Sequence, residues 1–128
     1  MRFLLDTHAL VWSVSNPEKL SSQILRAMSA EDAVVFVSVV SAWEIAIKVG
    51  KGIWPDARSL LETFDEKIDA SGFHLQAITV PHVRLAGLMP SPHRDPFDRL
   101  LAAQAVIEDL TLVSSDAKMA GLGAVVLW

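Results

Sequence analysis

The sequence predicts one α/β domain with a mainly parallel sheet. Its 128 residues fit one compact domain, since domains usually contain roughly 100–150 residues. Short β-rich runs alternate with runs of helical spacing, an order typical of parallel strands joined by crossover helices. No repeat, low-complexity segment or linker divides the chain, so we expect a single domain over residues 1–128.

Apolar spacing predicts the individual elements. Arg2–Leu5 is short and apolar, and residues 34–39 form the continuous β-branched run of a strand inside a parallel sheet. Shorter strands are predicted at 75–79, 111–114 and 124–127. Helices are predicted over 7–14, 18–30, 41–49, 81–88 and 97–109, with one more marked by Leu60, Leu61, Phe64 and Ile68, and a helical turn over 117–120. We expect core positions at Leu20, Ile24, Leu25, Met28, Leu100, Leu101, Ala105 and Val106.

Composition excludes several classes of protein. The chain has no cysteine, which excludes zinc–thiolate sites, iron–sulfur clusters and a thiol nucleophile. Its strongest apolar run, residues 33–40, is far shorter than the roughly 20 residues of a membrane span. Asp6 and His8 interrupt the apolar start of the chain and no cleavage site follows, so we expect a cytoplasmic protein with no membrane association.

Net charge does not identify a partner, but apolar content indicates one. The formal charge is −4, yet four of the 15 acids are candidates for a metal site, and without them 11 acids face 11 bases. Apolar residues and glycine together make up about 57% of the chain, against roughly 45–50% in globular domains. We interpret the surplus as surface that is buried against a partner or a second copy.

Four acids occupy equivalent places along the predicted elements. Asp6 ends the first strand, Asp116 follows the strand at 111–114, and Glu44 and Asp98 lie in the first turns of predicted helices. In parallel α/β domains these positions share one edge of the sheet, where ligands bind. The spacing therefore predicts four carboxylates around one crevice, provided that the strand order brings them together.

Helix capping explains the same acids without a function. Acids are favoured at helix N-termini, and Ser41 with Glu44 matches a capping box. Asp95 and Asp98 flank Pro96 in the pattern of a cap, a first-turn proline and a first-turn acid. Capping explains Asp6 less well than the other acids, because a neutral capping side chain would cost less free energy at the end of an apolar strand.

Converging carboxylates would favour a divalent cation. They repel one another, and either protonation or a bound cation removes the repulsion. Oxygen ligands without histidine or cysteine neighbours prefer Mg²⁺ or Mn²⁺ to Zn²⁺. Such a metal suits phosphodiester hydrolysis, because it activates a bound water and offsets charge at the leaving oxygen.

Four segments carry a resemblance to a known family. They are residues 3–8 (F-L-L-D-T-H), 38–45 (S-V-V-S-A-W-E-I), 93–105 (H-R-D-P-F-D-R-L-L-A-A-Q-A) and 112–116 (L-V-S-S-D). Their order and spacing cover almost the whole chain, and the third segment is highly specific. The chain resembles PIN-domain ribonucleases, and among them the VapC-type toxins of bacterial toxin–antitoxin pairs.

The resemblance implies a fold, a reaction and partners. The fold would be PIN-like, with a twisted, mainly parallel sheet flanked by helices. Asp6, Glu44, Asp98 and Asp116 match the family's four-acid catalytic site for Mg²⁺ or Mn²⁺. The reaction would be endonucleolytic cleavage of RNA, which inhibits translation and growth. The partners would be a VapB-type antitoxin, which blocks the site and represses its own operon, and a second copy in a homodimer.

Residues beside the four acids have two interpretations each. Thr7 holds Asp6 or a metal-bound water, or it caps the first helix, while Asp95 is favoured as a cap over a metal ligand. Arg94 and Arg99 either grip RNA phosphates or pair with a nearby acid. Lys48 is interpreted as a solvated helix end.

Five further residues are weighed in the same way. Ser114 stands where threonine is frequent in the family and keeps a hydroxyl group that could support the site. His8 and His93 lie near the predicted edge without metal-ligand spacing, and we do not expect either to be a general base. Trp43 and Trp54 are interpreted as core or interface anchors rather than base-stacking platforms.

Two other functions stay open as alternatives. An aspartyl-phosphate enzyme or receiver-like domain also places acids at strand ends, but the run Asp6, Thr7, His8 lacks the second acid of a D-x-D motif. A non-catalytic binding module would use the acids as caps and the apolar surplus as a docking surface. A nuclease that cleaves DNA is a variant of the leading hypothesis.

Overall fold

All five strands form one parallel sheet in the computed structural model, which describes residues 1–128. The strands are β1 (Arg2–Leu5), β2 (Val34–Ser38), β3 (His74–Gln76), β4 (Thr111–Val113) and β5 (Val126–Leu127), in the spatial order β3-β2-β1-β4-β5. The helices are α1 (Thr7–Ser15), α2 (Ser22–Ser29), α3 (Val39–Gly50), α4 (Arg58–Glu62), α5 (Phe64–Ala70), α6 (Val80–Leu88) and α7 (Pro96–Ile107). Short 3₁₀ turns lie at Pro17–Lys19, Pro55–Ala57 and Ala117–Leu122. The predicted α/β class and parallel sheet are confirmed.

The strand order places β1 at the centre of the sheet. At its carboxyl end, Leu5 is paired with Val37 of β2 on one side and with Val113 of β4 on the other. The chain runs from β1 outward through β2 and β3, and then crosses to the opposite side of β1 for β4 and β5. Such a reversal leaves a crevice outside the carboxyl ends of the strands, where open α/β sheets bind ligands.

Two hydrophobic clusters cover the two faces of the sheet. Side chains alternate between faces along a strand, so Phe3 and Leu5 join one cluster while Leu4 joins the other. The first cluster contains side chains from α1 to α5, and the second contains those of α6 and α7. The sheet is thus held between two helical layers, which makes its carboxyl edge a rigid base for a site.

The predicted helix over 18–30 is too long at its start. Pro17–Lys19 is a separate 3₁₀ turn, Leu20 is extended, and α2 begins at Ser22. The Ser21 hydroxyl accepts a hydrogen bond from the Ile24 N–H at 3.1 Å, which caps the helix. A serine cap fits this boundary better than continued helix, because its side chain satisfies an otherwise unpaired N–H group.

The predicted helix through residues 60–68 is two helices. Thr63, with φ −121° and ψ 31°, separates α4 from α5. Its hydroxyl donates to the Ser59 carbonyl at 2.9 Å. A threonine hydroxyl that binds the carbonyl four residues earlier competes with the helical ladder, and apolar spacing alone does not reveal that competition.

Other expectations are wrong at the level of single residues. Leu25 and Val106 were expected in the core but are 37% and 46% exposed. The strand predicted over 75–79 ends at Gln76, because Thr79 caps α6 through a hydrogen bond from the His82 N–H.

No helix of this chain combines the length and apolarity needed to cross a bilayer.

Candidate functional site

The four predicted acids lie on the carboxyl edge of the sheet or on helices that begin there. Asp6 follows β1 directly and Asp116 follows β4 by three residues. Asp98 is in the first turn of α7, and Glu44 is on α3, the helix that leaves β2. The side chains therefore come from four separate elements, and their geometry differs from one to the next.

Asp6 is a half-buried acid at the centre of the edge. Its Oδ1 accepts a hydrogen bond from the Ala9 N–H at 2.8 Å and so caps α1. Burial raises the pKa of Asp6, and the negative charge of Glu44 adds to that rise. Hydrogen bonds from Ser114 and Ala9 and the charge of His8 oppose it. The cap interpretation is confirmed here, and the raised pKa is a separate property, because the capping hydrogen bond from Ala9 acts to lower it.

Glu44 is almost fully buried and has two strong partners. Its side chain receives hydrogen bonds from Thr7 Oγ1 to Oε1 at 2.6 Å and from Lys48 Nζ to Oε2 at 2.6 Å. Thr7 Oγ1 also lies 3.1 Å from Ser41 Oγ. A buried carboxylate is tolerated when it is paired and hydrogen-bonded, and these contacts fix its orientation.

The capping box predicted at Ser41 and Glu44 is wrong. The N-cap of α3 is Ser38, whose Oγ accepts a hydrogen bond from the Val40 N–H at 3.0 Å. Glu44 therefore lies in the second helical turn instead of the first, and its carboxylate does not serve as a cap. Thr7 does not cap α1 either, because Asp6 does so, and the Thr7 hydroxyl binds Glu44 rather than Asp6.

Asp98 lies beside a histidine and a second acid. Its Oδ2 is 2.8 Å from His93 Nε2. Asp95 caps α7, with its Oδ1 accepting from the N–H groups of Phe97 and Asp98 at 2.9 and 3.2 Å. The pKa of Asp98 is raised, and burial is the largest cause. The negative charges of Asp95 and Glu44 add to the rise, while the hydrogen bond and charge of His93 oppose it.

Asp116 differs from the other three acids in being exposed. Its Oδ1 accepts from the Lys118 N–H at 2.9 Å, which caps the 3₁₀ turn after β4. Its own N–H donates to Ser114 Oγ at 3.1 Å. Ser114 thus links the loop that carries Asp116 to the Asp6 carboxyl group.

The acids share one region but do not form a closed cation site in this arrangement. Glu44 acts electrostatically on both Asp6 and Asp98, so these three share one region. No three carboxylate or imidazole groups converge closely enough to ligate one ion in the present conformation. Lys48 and His93 instead supply the partners of Glu44 and Asp98. The carboxylate oxygens of the acids are nevertheless the kind of ligand that Mg²⁺ and Mn²⁺ prefer.

Arg99 has neither of the roles considered from the sequence. Its guanidinium donates to the carbonyl groups of Ala86, Met89, Ser91 and His93 at 2.6–3.3 Å. All of its contacts are therefore with backbone oxygens rather than with an acid, and the group is not free to grip a phosphate. Arg99 secures the loop 89–95, which presents His93 to Asp98.

Arg94 lies on the exposed side of the same loop. It lines a cavity of about 530 Å³ together with Ser91, Pro92, His93, Lys118 and Gly121. No carboxylate lines this cavity, although its neighbours His93 and Lys118 contact Asp98 and Asp116. A positively lined cleft next to acids is suited to a phosphate backbone.

Sequence reasoning missed the partners of two acids. Lys48 was interpreted as a solvated helix end, but its side chain is only 30% exposed and pairs with Glu44. The signal was present in the sequence, since glutamate and lysine four residues apart meet on one helix face. The contact between His93 and Asp98 has no such signal, because a loop of irregular backbone brings them together.

Several solved structures share this fold. A complex described as VapBC2 from Rickettsia felis bound to a DNA fragment from their promoter matches with TM-score 0.69 and 17% identity, over 99% of this chain and 98% of that one. VapBC-1 from nontypeable Haemophilus influenzae matches with TM-score 0.64 and 15% identity, over 99% and 97%. FitAcB from Neisseria gonorrhoeae matches with TM-score 0.64 and 19% identity, over 100% and 97%.

Comparison of sequences identifies the family. No match was found among curated proteins. The family model described as PIN domain matches residues 3–124, which contain all four acids. PIN domains are nucleases, and nucleases are hydrolases. Because the match spans nearly the whole chain, the protein belongs to the PIN domain family.

Proposed function

We propose that the protein is a Mg²⁺- or Mn²⁺-dependent endoribonuclease and the VapC-type toxin of a toxin–antitoxin pair. One observation carries the proposal. Asp6, Glu44 and Asp98 come from β1, α3 and α7 to the carboxyl edge of a PIN-domain sheet, where burial raises the pKa of Asp6 and Asp98. Enzymes keep such perturbed carboxyl groups where they are needed for chemistry.

A divalent metal would be held by Asp6, Glu44 and Asp98, with Asp116 joining from the loop after β4. When bound, it supplies an activated water and neutralises charge at the leaving oxygen. The chain's own residues prepare the ligands. Thr7 orients the Glu44 carboxylate at 2.6 Å, and Ser114 hydrogen-bonds to the Asp6 carboxyl group.

The positively charged residues have separate tasks in this proposal. Arg94 and Lys118 line the cavity of about 530 Å³ and attract the phosphates of the substrate strand. Lys48 and His93 hold Glu44 and Asp98 in position at 2.6 and 2.8 Å. Arg99 keeps the loop that carries Arg94 and His93 in place through backbone carbonyl groups.

RNA is the proposed substrate, in the cytoplasm, and its cleavage would inhibit translation and growth. The chain's resemblance to VapC-type ribonucleases supports RNA. Single strands expose both bases and backbone to an open crevice of this kind. Cleavage of DNA under the same conditions would assign the nuclease to the alternative substrate.

A VapB-type antitoxin and a second copy of the chain are the proposed protein partners. Matching structures are complexes named VapBC and FitAB, which supports an antitoxin for this chain. Exposed apolar side chains on α6 and α7 support an interface with the second copy. These side chains are Val80, Val83, Leu88, Val106 and Ile107. Light scattering at several protein concentrations tests the homodimer, and a monomer at all of them would contradict it.

The proposed activity is tested on total cellular RNA. The purified chain is incubated with Mg²⁺, with Mn²⁺ and with EDTA, beside Asp6→Asn and Asp98→Asn. Asp32→Asn is the matched control, because that acid precedes β2 at the opposite edge and its side chain is 86% exposed. We expect discrete metal-dependent fragments from the wild type and the control only, after circular dichroism shows that all four proteins are folded.

Two outcomes would contradict the proposal in different ways. Absence of cleavage together with a flat metal titration would exclude the metal site and favour a non-catalytic binding module. Cleavage that survives both Asp6→Asn and Asp98→Asn would place the active site elsewhere.

A further inference from the structure

An aromatic cluster lies beside the acidic edge and takes no part in the roles described so far. The His8 imidazole stacks on the Trp54 indole, with ring centroids 4.7 Å apart and planes inclined by 28°. Trp12 meets the other rings at an angle, 5.6 Å from His8 and 5.8 Å from Trp128. A stacked pair continued by tilted rings forms a rigid platform.

Two ammonium groups complete this cluster. Lys48 Nζ lies 5.6 Å from the centroid of the Trp54 ring, and Lys19 Nζ lies 5.9 Å from that of Trp12. Both distances fall within the range of cation–π contacts. The surface therefore combines aromatic faces with positive charge, which is the composition of single-stranded nucleic-acid sites.

The stacked pair borders a cavity that is open to solvent. The cavity has a volume of about 250 Å³ and is lined by His8, Lys48, Ile53 and Trp54. His8 is exposed, Ile53 is 65% exposed, and no carboxylate contributes to the lining. Sites for drug-sized ligands usually measure about 300–1,000 Å³, so this smaller cavity suits one planar ring system.

Lys48 joins the cavity to the acids. Its Nζ is 2.6 Å from Glu44 Oε2 and 5.6 Å from the Trp54 ring centroid. His8 follows Asp6 by two residues, and its charge acts on the Asp6 carboxyl group. A strand cleaved at the acids would therefore place a neighbouring nucleotide over this cavity.

We infer that the cavity of His8, Lys48, Ile53 and Trp54 binds one nucleobase of the substrate strand by stacking. The inference rests on the proposed nuclease function and adds a second contact to it. Stacking is indifferent to the identity of the base, because every base has an aromatic face. The site would thus position a single strand for cleavage without selecting its sequence.

Trp54 has two kinds of neighbour. It packs in part against the large hydrophobic cluster, as expected for a core anchor, and it also lines the cavity. A protein side chain could also fill the cavity, but the His8 ring, the Lys48 ammonium group and a lining without an acid favour a nucleotide. Equal binding of strands with and without bases would point to that other occupant.

The inference is tested by comparing base-bearing with abasic strands of equal charge. Fluorescence anisotropy measures the affinity for twelve-nucleotide single-stranded oligomers of adenosine, of uridine and of abasic nucleotides, in EDTA so that nothing is cleaved. We expect the wild type to bind the adenosine oligomer roughly five- to hundredfold more tightly than the abasic one, from the usual contribution of one stacked base.

Ring-removing and ring-retaining variants assign the effect to the cavity. His8→Ala and Trp54→Leu should bring the affinity for the adenosine oligomer close to that for the abasic one. His8→Phe and Trp54→Phe keep a ring and should keep most of the preference, which separates stacking from charge and from folding. His74→Ala is the matched control, since this exposed histidine lies on β3 and outside the cavity.

The outcomes separate this inference from the nuclease proposal. If the wild type cleaves total RNA with Mg²⁺ but binds both kinds of oligomer equally, the stacking site is wrong and the nuclease stands. If it neither cleaves nor binds any strand, both are wrong. A preference for bases that survives His8→Ala and Trp54→Leu in folded protein would also overturn the inference.

Discussion

Lys48 Nζ donates a hydrogen bond to Glu44 Oε2 at 2.6 Å, and Lys48 lies one turn after Glu44 on α3. The Glu44 side chain is 6% exposed and that of Lys48 is 30% exposed, so the pair is largely shielded from water. Ion pairs of this kind are costly to break from one side, because the remaining charge stays buried without a partner. The pair therefore fixes the position of the Glu44 carboxylate.

Replacement of this lysine should destabilise the metal-free protein. We expect Lys48→Met to lower the free energy of unfolding in EDTA by about 1–3 kcal/mol, less than for a fully buried pair because Lys48 reaches solvent. Urea denaturation measures the change. Mg²⁺ should restore more stability to Lys48→Met than to the wild type, since the ion replaces the lost cation.

The matched control for that change is Lys51→Met. Lys51 is exposed and follows the last residue of α3, so its loss should alter stability by less than about 0.5 kcal/mol. Equal losses in the two variants would show that the pair between Lys48 and Glu44 contributes nothing specific.

Neutralising Asp6 should stabilise the metal-free protein while abolishing cleavage. Burial raises the pKa of Asp6 from its ordinary value of 3.8, so the ionised form opposes folding at neutral pH. Asp6→Asn keeps an oxygen that can cap α1. We expect it to raise the free energy of unfolding at pH 7 in EDTA by about 0.5–2 kcal/mol, a range usual for replaced functional residues.

The pH dependence of that difference has a definite sign. An acid with a raised folded-state pKa binds more protons in the folded state, so its contribution to stability falls as pH rises from 3.8 to the raised value. The advantage of Asp6→Asn should therefore grow through that window and then level off. Thermal unfolding across this pH range measures it, and an Asn variant that is less stable at pH 7 would contradict the assignment.

Arg99 should be important for stability more than for substrate contact. Its hydrogen bonds to Ala86, Met89, Ser91 and His93 are all to backbone carbonyl groups. We expect Arg99→Met to cost about 2–4 kcal/mol, since hydrogen bonds to a charged group contribute about 1.5–3 kcal/mol each but are not additive. Chemical denaturation measures the loss, and a fully stable variant would contradict this role.

Arg94 should show the opposite behaviour. It is exposed and lines the cavity between the loop 89–95 and Lys118. Arg94→Met should leave the melting temperature nearly unchanged, weaken RNA binding, and reduce the slope of log K against log salt concentration by about 0.7, the value for one phosphate contact on a single strand. A salt slope equal to that of the wild type would remove Arg94 from the RNA path.

Local patterns predicted much of what lies near each acid. Asp6, Asp95 and Asp116 cap helical segments as their positions after strands or before Pro96 indicate. The cap of α3 was misplaced, because the sequence offers serines at 38 and 41 and both precede a plausible helix. The choice of Ser38 depends on where β2 ends, which its pairing with β3 sets.

Contacts between distant elements were beyond the sequence. From the sequence, Arg99 was expected to bind an acid or a phosphate. It binds backbone carbonyl groups instead. The path of the loop that carries them depends on the packing of α6 against α7. Likewise, Trp54 borders a cavity because α3 and α1 bring Lys48 and His8 beside it.

The sequence by itself determined the α/β class and the parallel strands, and it predicted four acids at one edge, because hydrophobic period, strand ends and helix caps are local properties. Tertiary structure alone decided that β1 lies between β2 and β4, so that Asp6 sits at the centre of the edge. It also decided that Glu44 meets Thr7 and Lys48, while Asp116 is exposed. Such meetings depend on strand order and helix packing, in which residues far apart in the chain compete for the same space.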